Sequence, residues 1–425
     1  MPIMPSNRMT GRSLASIPNE TASVSKAPPA HPVDDPIDRM TGRNSVKSST
    51  MSQSPLFEPI EFSPGFDLRN RVAMAPMTTW ASNDDGTVSD AEDAYYRRRV
   101  SGVGLVITGC THVQANGVGF TGEFAAHDDA FIPSLRQLAT AAKSGGAPAI
   151  LQIFHAGAKA PPELVPEVVA ASAVAMKAGS SDAAATPRAL SGEEVLGVIR
   201  AFGETTRRAI QAGFDGIELH GAHGFLLQNF FSPHYNRRED AWGGSLDNRM
   251  RFPLAVVEEV RRVIDAHAGR PFVLGYRISA EEHEDGGLRL GDTLVLVDRL
   301  VEAGIDYLHA SLQGALTTKP LDDPEGATIA KILVEHVGGR IPVIAAGQMR
   351  TPDEAARALA EGLSLVAIGQ GLVMNPDWVE LGASGRQDAI AQDVAASDVP
   401  RLAIPEKLWT IIEAATGWFK IRQTA

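Results

Sequence analysis

The sequence predicts an α/β fold of the (β/α)8 TIM-barrel class, a single domain that follows a disordered N-terminal extension. Three observations predict it: eight short apolar segments, helix-like segments between them, and apolar character that is nearly continuous within each short segment. Parallel strands that are covered on both faces have this unbroken pattern, whereas half-exposed strands alternate. Eight alternating strand and helix units favour a closed barrel.

The eight predicted strands begin at residue 71. They are Arg71–Met77, Leu105–Val113, Pro148–Phe154, Gly216–His220, Phe272–Ile278, Tyr307–Leu312, Pro342–Ala346 and Ser364–Gly369. A doubly wound sheet is the alternative fold. It needs a glycine-rich phosphate loop after its first strand, and Ala75–Ser82 contains no glycine.

Two of the intervening helices have clear start signals. Ser191 and Glu194 form a capping box before a helix that we predict over Val195–Ala212. Thr351 is followed by a proline at the first helical position, which predicts a helix that ends near Gly362. A terminal helix over Leu402–Thr416 is expected to lie outside the barrel.

The chain divides into three predicted segments. Residues 1–54 are rich in Ser, Pro, Thr and Met and have almost no aromatic residues, so we expect a disordered N-terminal extension. Residues 55–400 form the predicted barrel, and residues 401–425 a C-terminal helical extension. The long connection from 155 to 190 is typical of a lid or a binding segment.

Composition excludes several functional classes. The 425 residues are 44% hydrophobic and carry a net charge of -12 without a basic patch, so nucleic acid is not an expected partner. No apolar run reaches the ~20 residues of a membrane helix, and a secretory signal is missing, so we expect a cytoplasmic protein with a small-molecule partner. A homo-oligomer is left open. Cys110, the sole cysteine, excludes an intrachain disulfide and a multi-thiolate iron–sulfur cluster.

His220 and His223 stand three residues apart where the fourth predicted strand ends. In barrels of this class, functional groups collect at the carboxyl ends of the strands. A zinc site would need three or four ligands, with His112, His155 or Glu218 as candidates; we expect no metal. The other two interpretations are core or helix-capping histidines, and imidazoles that donate hydrogen bonds to a ligand oxygen.

The ends of the last two predicted strands suit an anion. Gly347 and Gly369 allow close approach of backbone N–H groups, and the helix that begins near Thr351 adds a favourable dipole. Arg277 lies in an apolar strand and needs a partner, either a ligand or a carboxylate such as Glu218. Gln152 poses the same question with a neutral amide.

Four segments together resemble the Old Yellow Enzyme family of FMN-dependent ene-reductases, also called NADH:flavin oxidoreductases. They are NRVAMAPMTT (70–79), LQIFHAG (151–157), HGAHGFLLQNFFSPHYNRREDAWGGSLDNR (220–249) and VAIG (366–369). The third segment is highly specific because of its length and mixed composition. The resemblance covers about residues 56–380.

The resemblance implies a cofactor, FMN, and a hydride donor, NADH or NADPH. It implies that ten residues bind FMN: Pro76, Met77, Thr78, Cys110, Gln152, Arg277, Gly347, Gln348, Gly369 and Gln370. His220 and His223 are implied to bind the substrate's carbonyl oxygen, beside the substrate-binding residues Trp80, Phe225 and Tyr276. The implied reaction is reduction of the C=C bond of an α,β-unsaturated carbonyl compound. There are two alternatives: a flavin oxidoreductase of the same fold that acts on a different substrate, and a catalytically weakened flavin-binding barrel.

Two positions depart from the family pattern. Phe225 stands where the family usually has the tyrosine that donates a proton, so we expect a slow reaction with simple enones or a different acceptor. Gln370 stands where the family commonly has an arginine paired with the FMN phosphate. Loss of that charge predicts weaker FMN binding by about 1–2 kcal/mol, or roughly tenfold.

Overall fold

Eight parallel strands form a closed barrel in the computed structural model, which describes residues 54–177 and 184–422. The strands are β1 (Val72–Met74), β2 (Leu105–Ile107), β3 (Ala149–Phe154), β4 (Gly216–Gly221), β5 (Val273–Ile278), β6 (Tyr307–Ser311), β7 (Val343–Ala346) and β8 (Leu365–Ile368). Each strand pairs in parallel with the next, and β8 pairs with β1. The predicted (β/α)8 TIM barrel is confirmed.

Helices alternate with these strands and pack against the outside of the barrel. They are α1 (Asp90–Arg99), α2 (Ile132–Ala142), α3 (Gly192–Ala212), α4 (Leu226–Phe231), α5 (Leu246–His267), α6 (Leu290–Glu302), α7 (Ile329–Val337), α8 (Pro352–Ala360), α9 (Gln370–Met374), α10 (Trp378–Ala383) and α11 (Glu406–Ala414). The capping box of Ser191 with Glu194 starts α3, and Thr351 with Glu354 forms another at the start of α8. Both predicted start signals therefore mark real helix starts.

An antiparallel hairpin lies at the amino end of the barrel. It consists of Ile60–Ser63 and Phe66–Leu68. Phe62 and Phe66 belong to the same buried cluster as inward-facing barrel residues, and the Phe62 ring lies 5.3 Å from that of Tyr307 on β6. The hairpin, which the sequence analysis did not predict, covers this end with apolar side chains.

The second predicted strand is interrupted. Residues 105–107 belong to the barrel, whereas Thr111–His112 form a separate short strand beside β3. The break occurs near Gly109, where a Cβ atom would lie 2.7 Å from the Met77 carbonyl oxygen. This close approach brings the end of β2 against the segment that follows β1. The other short strands are Phe124–Ala125, Val169–Ala170, Met176–Lys177, Ala184–Ala185 and Arg188–Ala189.

The two ends of the chain differ in how much the structure describes. Of the predicted disordered extension, residues 1–53 lie outside the described residues, so its disorder and the boundary at 54 remain predictions, as does the boundary at 400. Between α11 and residue 422, where the described part of the chain ends, there is no further helix. The Trp418 ring lies 6.1 Å from that of Trp80, which follows β1. Within the described residues, no helix is long and apolar enough to cross a membrane.

Candidate active site

Three strained residues follow three different barrel strands at their carboxyl ends. Trp80 after β1, His223 after β4 and Gln348 after β7 have positive φ angles of 54°, 60° and 49°. Side chains other than glycine rarely adopt this conformation, which costs of order 1–3 kcal/mol, and such strain concentrates at functional sites. The carboxyl end of the barrel is therefore the place to look for the chemistry.

His220 and His223 lie together at this end, with their ring centroids 4.9 Å apart. His220 is the inward-facing residue near the end of β4, and His223 belongs to the turn that follows. The Ser279 hydroxyl oxygen, at the end of β5, accepts a hydrogen bond from the backbone N–H of His223 at 3.0 Å. This bond holds the strained turn in place.

Both imidazoles are neutral. Burial lowers the pKa of His220 and of His223 well below the ordinary value, and the positive charge of Arg277 lowers both further. The Nδ1 atom of His220 accepts from the backbone N–H of Ala222 at 3.3 Å, so its hydrogen is assigned to Nε2. The pair thus offers hydrogen bonds without a full positive charge.

A short chain of hydrogen bonds links Arg277 to the histidine pair. Arg277 on β5 donates to the Ser311 hydroxyl at 3.0 Å, and this hydroxyl lies 2.6 Å from Nε2 of His223. Because a guanidinium only donates, Ser311 accepts from Arg277, and its own hydrogen remains available to the imidazole. Ser311 therefore fixes the ring of His223 through the end of β6.

A buried polar network fills the barrel just below the histidines. Glu218 on β4 accepts from Gln152 Nε2 at 2.7 Å and from the Tyr307 hydroxyl at 3.0 Å, and it lies 2.9 Å from Nδ1 of His309. Burial raises the pKa of Glu218, but His309 and the Arg277 charge outweigh this, and the pKa lies below its ordinary value. Glu218 therefore carries a negative charge beneath the site.

Two nitrogen atoms of this region are buried without a hydrogen-bond partner among the described residues: Nε of Arg277 and Nε2 of His309. Arg277 is 5% exposed and His309 is fully buried. Native proteins rarely leave such groups unsatisfied, so a ligand that offers an acceptor atom to Nε of Arg277 is indicated. Arg277 lowers the pKa of the Glu218 carboxyl through space, although no ion pair joins these two side chains.

An apolar wall stands beside the histidines. The Phe225 ring lies 4.8 Å from the rings of both His220 and Phe154. Cys110 belongs to the same buried cluster, and its sulfur lies 3.2 Å from the Thr78 hydroxyl. Nζ of Lys159, after β3, lies 6.0 Å from the centre of the Phe225 ring, and burial lowers the pKa of this lysine.

Gly347 and Gly369 lie at the ends of β7 and β8, and we call the region between these two strand ends the glycine cradle. A Cβ atom on Gly369 would lie 3.0 Å from the sulfur of Met77, and one on Gly347 would lie 2.7 Å from the backbone nitrogen of Ala315. A side chain at either position would press against these neighbours, so glycine allows the backbone to approach them closely. Gly369 precedes the first turn of α9, whose leading N–H groups have no partner within the helix. Such a cradle fits an anionic group.

Fourteen of the fifteen residues expected at the site belong to this end of the barrel or to the strands just below it. They are Pro76, Met77, Thr78, Trp80, Cys110, Gln152, His220, His223, Phe225, Arg277, Gly347, Gln348, Gly369 and Gln370. Gln152 uses its amide nitrogen on Glu218 and keeps its amide oxygen. Within the described residues, no group of three or more His, Cys, Asp or Glu side chains is arranged to hold a metal.

Tyr276 is the exception. It was expected in the substrate site, but in the structure it lies outside that site. Neighbouring residues of a strand face opposite ways, so Arg277 faces the barrel interior and Tyr276 the surrounding helices. Tyr276 is 1% exposed, belongs to the large cluster between barrel and helices, and would lie 2.4 Å from a Cβ atom on Gly221. It packs the barrel wall.

The sequence profile described as the NADH:flavin oxidoreductase / NADH oxidase family matches residues 55–389. The chain belongs to this family. The family is FMN-dependent, and the chain is accordingly an FMN-dependent oxidoreductase that uses NADH or NADPH. The orphaned nitrogens of Arg277 and His309 and the glycine cradle fit a flavin with a phosphate.

Individual relatives agree with the family. The probable NADH-dependent flavin oxidoreductase YqiG of Bacillus subtilis is 43% identical over 366 residues, which cover 86% of this chain and 97% of YqiG. The NADH:fumarate oxidoreductase of Klebsiella pneumoniae is 38% identical over 370 residues; they cover 85% of this chain but only 40% of that protein. The structure of the Old Yellow Enzyme homologue from Zymomonas mobilis matches with a TM-score of 0.68 at 25% identity, covering 80% of this chain and 94% of that one. The resemblance to the Old Yellow Enzyme family is confirmed.

Sequence reasoning missed several residues of this NADH:flavin oxidoreductase site. Ser311 and His309 are both polar residues within the sixth predicted apolar strand, Tyr307–Leu312, and this could have marked them as candidates. Lys159 lies two residues after the end of the LQIFHAG segment, where its charge among Ala and Gly is a signal. For Trp418, in the terminal segment, the sequence contains no such signal.

Proposed function

We propose that this enzyme reduces the C=C bond of α,β-unsaturated carbonyl compounds and that His220 and His223 bind the substrate oxygen. The observation that carries the proposal is the pair of buried, neutral imidazoles at the mouth of the barrel, 4.9 Å apart. Neutral N–H donors stabilise negative charge that develops on an oxygen, and their benefit grows in a water-poor site. That is what the oxygen of an enone acquires during reduction.

FMN, when bound, would supply the hydride, drawn from NADH or NADPH, that reduces the β-carbon of the substrate. Thr78 and Gln152 would hold the polar edges of the flavin, and the positive charge of Arg277 would offset negative charge on the reduced flavin. Pro76, Met77 and Cys110 line the ring. The residues at the ends of β7 and β8 hold the phosphate.

The side chains of the protein bind and orient the substrate. His220 donates from Nε2, and His223 is oriented by Ser311, so the carbonyl oxygen is held by both rings while its charge develops. Phe225 and Trp80 exclude water from the carbon chain of the substrate. Because Phe225 has no hydroxyl, the proton for the α-carbon comes from another group or from water.

The test uses His220→Gln and His223→Gln, with His336→Gln on α7 as the matched control. We expect the wild-type enzyme to develop a long-wavelength charge-transfer band on titration with p-hydroxybenzaldehyde, a phenol that places its oxygen on the pair. Each site variant should bind this phenol about tenfold to a hundredfold more weakly and lose about 10²–10³-fold in kcat/KM on 2-cyclohexenone. His336→Gln should behave as wild type.

FMN content by absorbance is measured on every variant, because a loss of cofactor would mimic a loss of substrate binding. Unchanged phenol affinity and unchanged kcat/KM in both site variants at full FMN occupancy would rule out the proposed oxygen site.

Two observations favour a second substrate class, the unsaturated carboxylic acids. The relative from Klebsiella pneumoniae is named for fumarate, whose C=C bond lies between two carboxylates, and Lys159 brings a positive charge close to Phe225. Turnover of fumarate exceeding that of 2-cyclohexenone would favour unsaturated acids, and loss of that preference in Lys159→Met would assign it to the lysine. We further propose that the enzyme acts on free small molecules in the cytoplasm, which cell fractionation tests.

A further inference from the structure

Arg350 lies three residues after Gly347, at the end of the loop that follows β7. Its Nη2 atom donates to the Oε1 atom of Gln370 at 3.2 Å. Its Nε atom is buried and has no hydrogen-bond partner among the described residues. The guanidinium therefore bridges the loops after β7 and β8, where the glycine cradle lies.

The backbone of Arg350 is fixed on both sides. Its N–H donates to Glu354 at 2.8 Å, in the first turn of α8, and its carbonyl oxygen accepts from the indole N–H of Trp378 at 2.8 Å. In the described part of the chain no carboxylate forms an ion pair with the guanidinium. A partly buried cation without a counter-ion is costly unless a ligand supplies the negative charge.

The hydrogen bonds of Gln370 account for the position of the Arg350 guanidinium in the loop that follows β7. Its amide nitrogen donates to the carbonyl oxygen of Trp418 at 2.5 Å, which turns the amide oxygen toward Arg350. A neutral acceptor at position 370 attracts a guanidinium, whereas a second guanidinium there would repel it. The replacement of the family's arginine by Gln370 and the presence of Arg350 are therefore linked, because Gln370 binds the guanidinium of Arg350.

We propose that Arg350 is the cation that binds the FMN phosphate in this enzyme, with Gln370 as the residue that positions it. The inference rests on the phosphate site proposed above, between the ends of β7 and β8. It replaces the expectation that FMN binds weakly because Gln370 is uncharged: the charge is present, but it comes from the neighbouring loop.

The test compares FMN with riboflavin, which lacks the phosphate. Apoprotein is titrated into each flavin and binding is followed by quenching of flavin fluorescence. Arg350→Gln should weaken FMN binding about tenfold to a hundredfold, since a charge-assisted contact is lost, and leave riboflavin binding unchanged. Arg357→Gln, which removes an exposed arginine from the same helix region, is the control and should change neither value.

Two further variants make the test independent of how well Arg350→Gln folds. Gln370→Arg in the wild-type background should fail to tighten FMN binding, because two guanidinium groups then compete for one site. In the Arg350→Gln background the same change should restore FMN affinity, because it returns a single cation to the cradle. Tightening by tenfold or more in the wild-type background would overturn the proposal.

The Gly369→Ala variant distinguishes an error in the assignment of Arg350 from an error in the location of the phosphate site. Its methyl group would enter the cradle 3.0 Å from the Met77 sulfur. If Gly369→Ala weakens FMN binding while Arg350→Gln does not, the assignment of Arg350 is wrong and the site stands. If neither variant changes the ratio of FMN to riboflavin affinity, the phosphate lies elsewhere and the proposed cofactor site is wrong as well.

Discussion

Glu92 on α1 should make the fold less stable as the pH rises, and Glu92→Gln should remove that dependence. The carboxyl is fully buried next to the site. It accepts from the Thr79 hydroxyl at 2.5 Å, from the Ser82 hydroxyl at 3.1 Å and from the backbone N–H of Ser89 at 3.2 Å. Burial nevertheless raises the pKa of Glu92 to about 7, because lost hydration outweighs these hydrogen bonds.

The sign and size of the effect follow from this pKa. An acid with a raised pKa keeps in the fold a proton that the unfolded chain releases, so stability is full below about pH 4.5 and falls as the pH rises to about 7. A difference of 7 against 4.5 at ~1.36 kcal/mol per unit costs about 3 kcal/mol at high pH. About 2.5 kcal/mol of this cost develops between pH 5 and pH 8.

The assay is urea unfolding followed by circular dichroism at pH 5 and pH 8, with FMN at one saturating concentration because bound ligand adds stability. The amide of Glu92→Gln stays neutral, so the stability difference between the two pH values should shrink by about 2.5 kcal/mol. Glu413→Gln removes an exposed carboxylate from α11 and should keep the wild-type difference. Equal differences in wild type and Glu92→Gln would refute the reasoning.

Three further outcomes are expected. Phe225→Tyr supplies an acidic hydroxyl beside the histidines and should speed flavin reoxidation by 2-cyclohexenone about 10²-fold in single turnover; an unchanged rate would count against a missing proton donor. Gly221→Ala places a methyl group 2.4 Å from the Tyr276 ring and should cost about 1–3 kcal/mol of unfolding free energy in urea titrations. Gly291→Ala, with open space around it, should cost nothing. Because burial raises the pKa of the Cys110 thiol, iodoacetamide at pH 8 should label it only after unfolding, which mass spectrometry measures.

Much of the barrel could be predicted because each strand carries its own apolar signal. The strand Val273–Ile278 begins one residue after its predicted start, and β3 differs from its prediction by one residue as well. The break in β2 could not be read from the sequence, since it depends on how closely Gly109 approaches Met77. The amino-terminal hairpin had a signal, Pro64 with Gly65 at its turn, that was not used.

The residues of the candidate site likewise divide into those that the sequence could predict and those that it could not. His220 and Arg277 could be predicted as inward-facing residues because strand ends follow from strand positions. The error at Tyr276 was avoidable, because adjacent strand residues cannot both face the interior. The link from Trp418 through Gln370 to Arg350 was out of reach, because it joins three segments that only the folded chain brings together.

The positive φ angles of Trp80, His223 and Gln348 have a consequence for protein engineering. Selection for thermal stability alone rewards relief of such strain, and glycine at Gln348 would relieve it most simply. That loop lies beside the glycine cradle, and the turn at His223 carries one of the two imidazoles that we propose to bind the substrate oxygen. Heat-stable descendants chosen without an activity screen should therefore accumulate changes where turnover is most sensitive, so the two selections have to be run together.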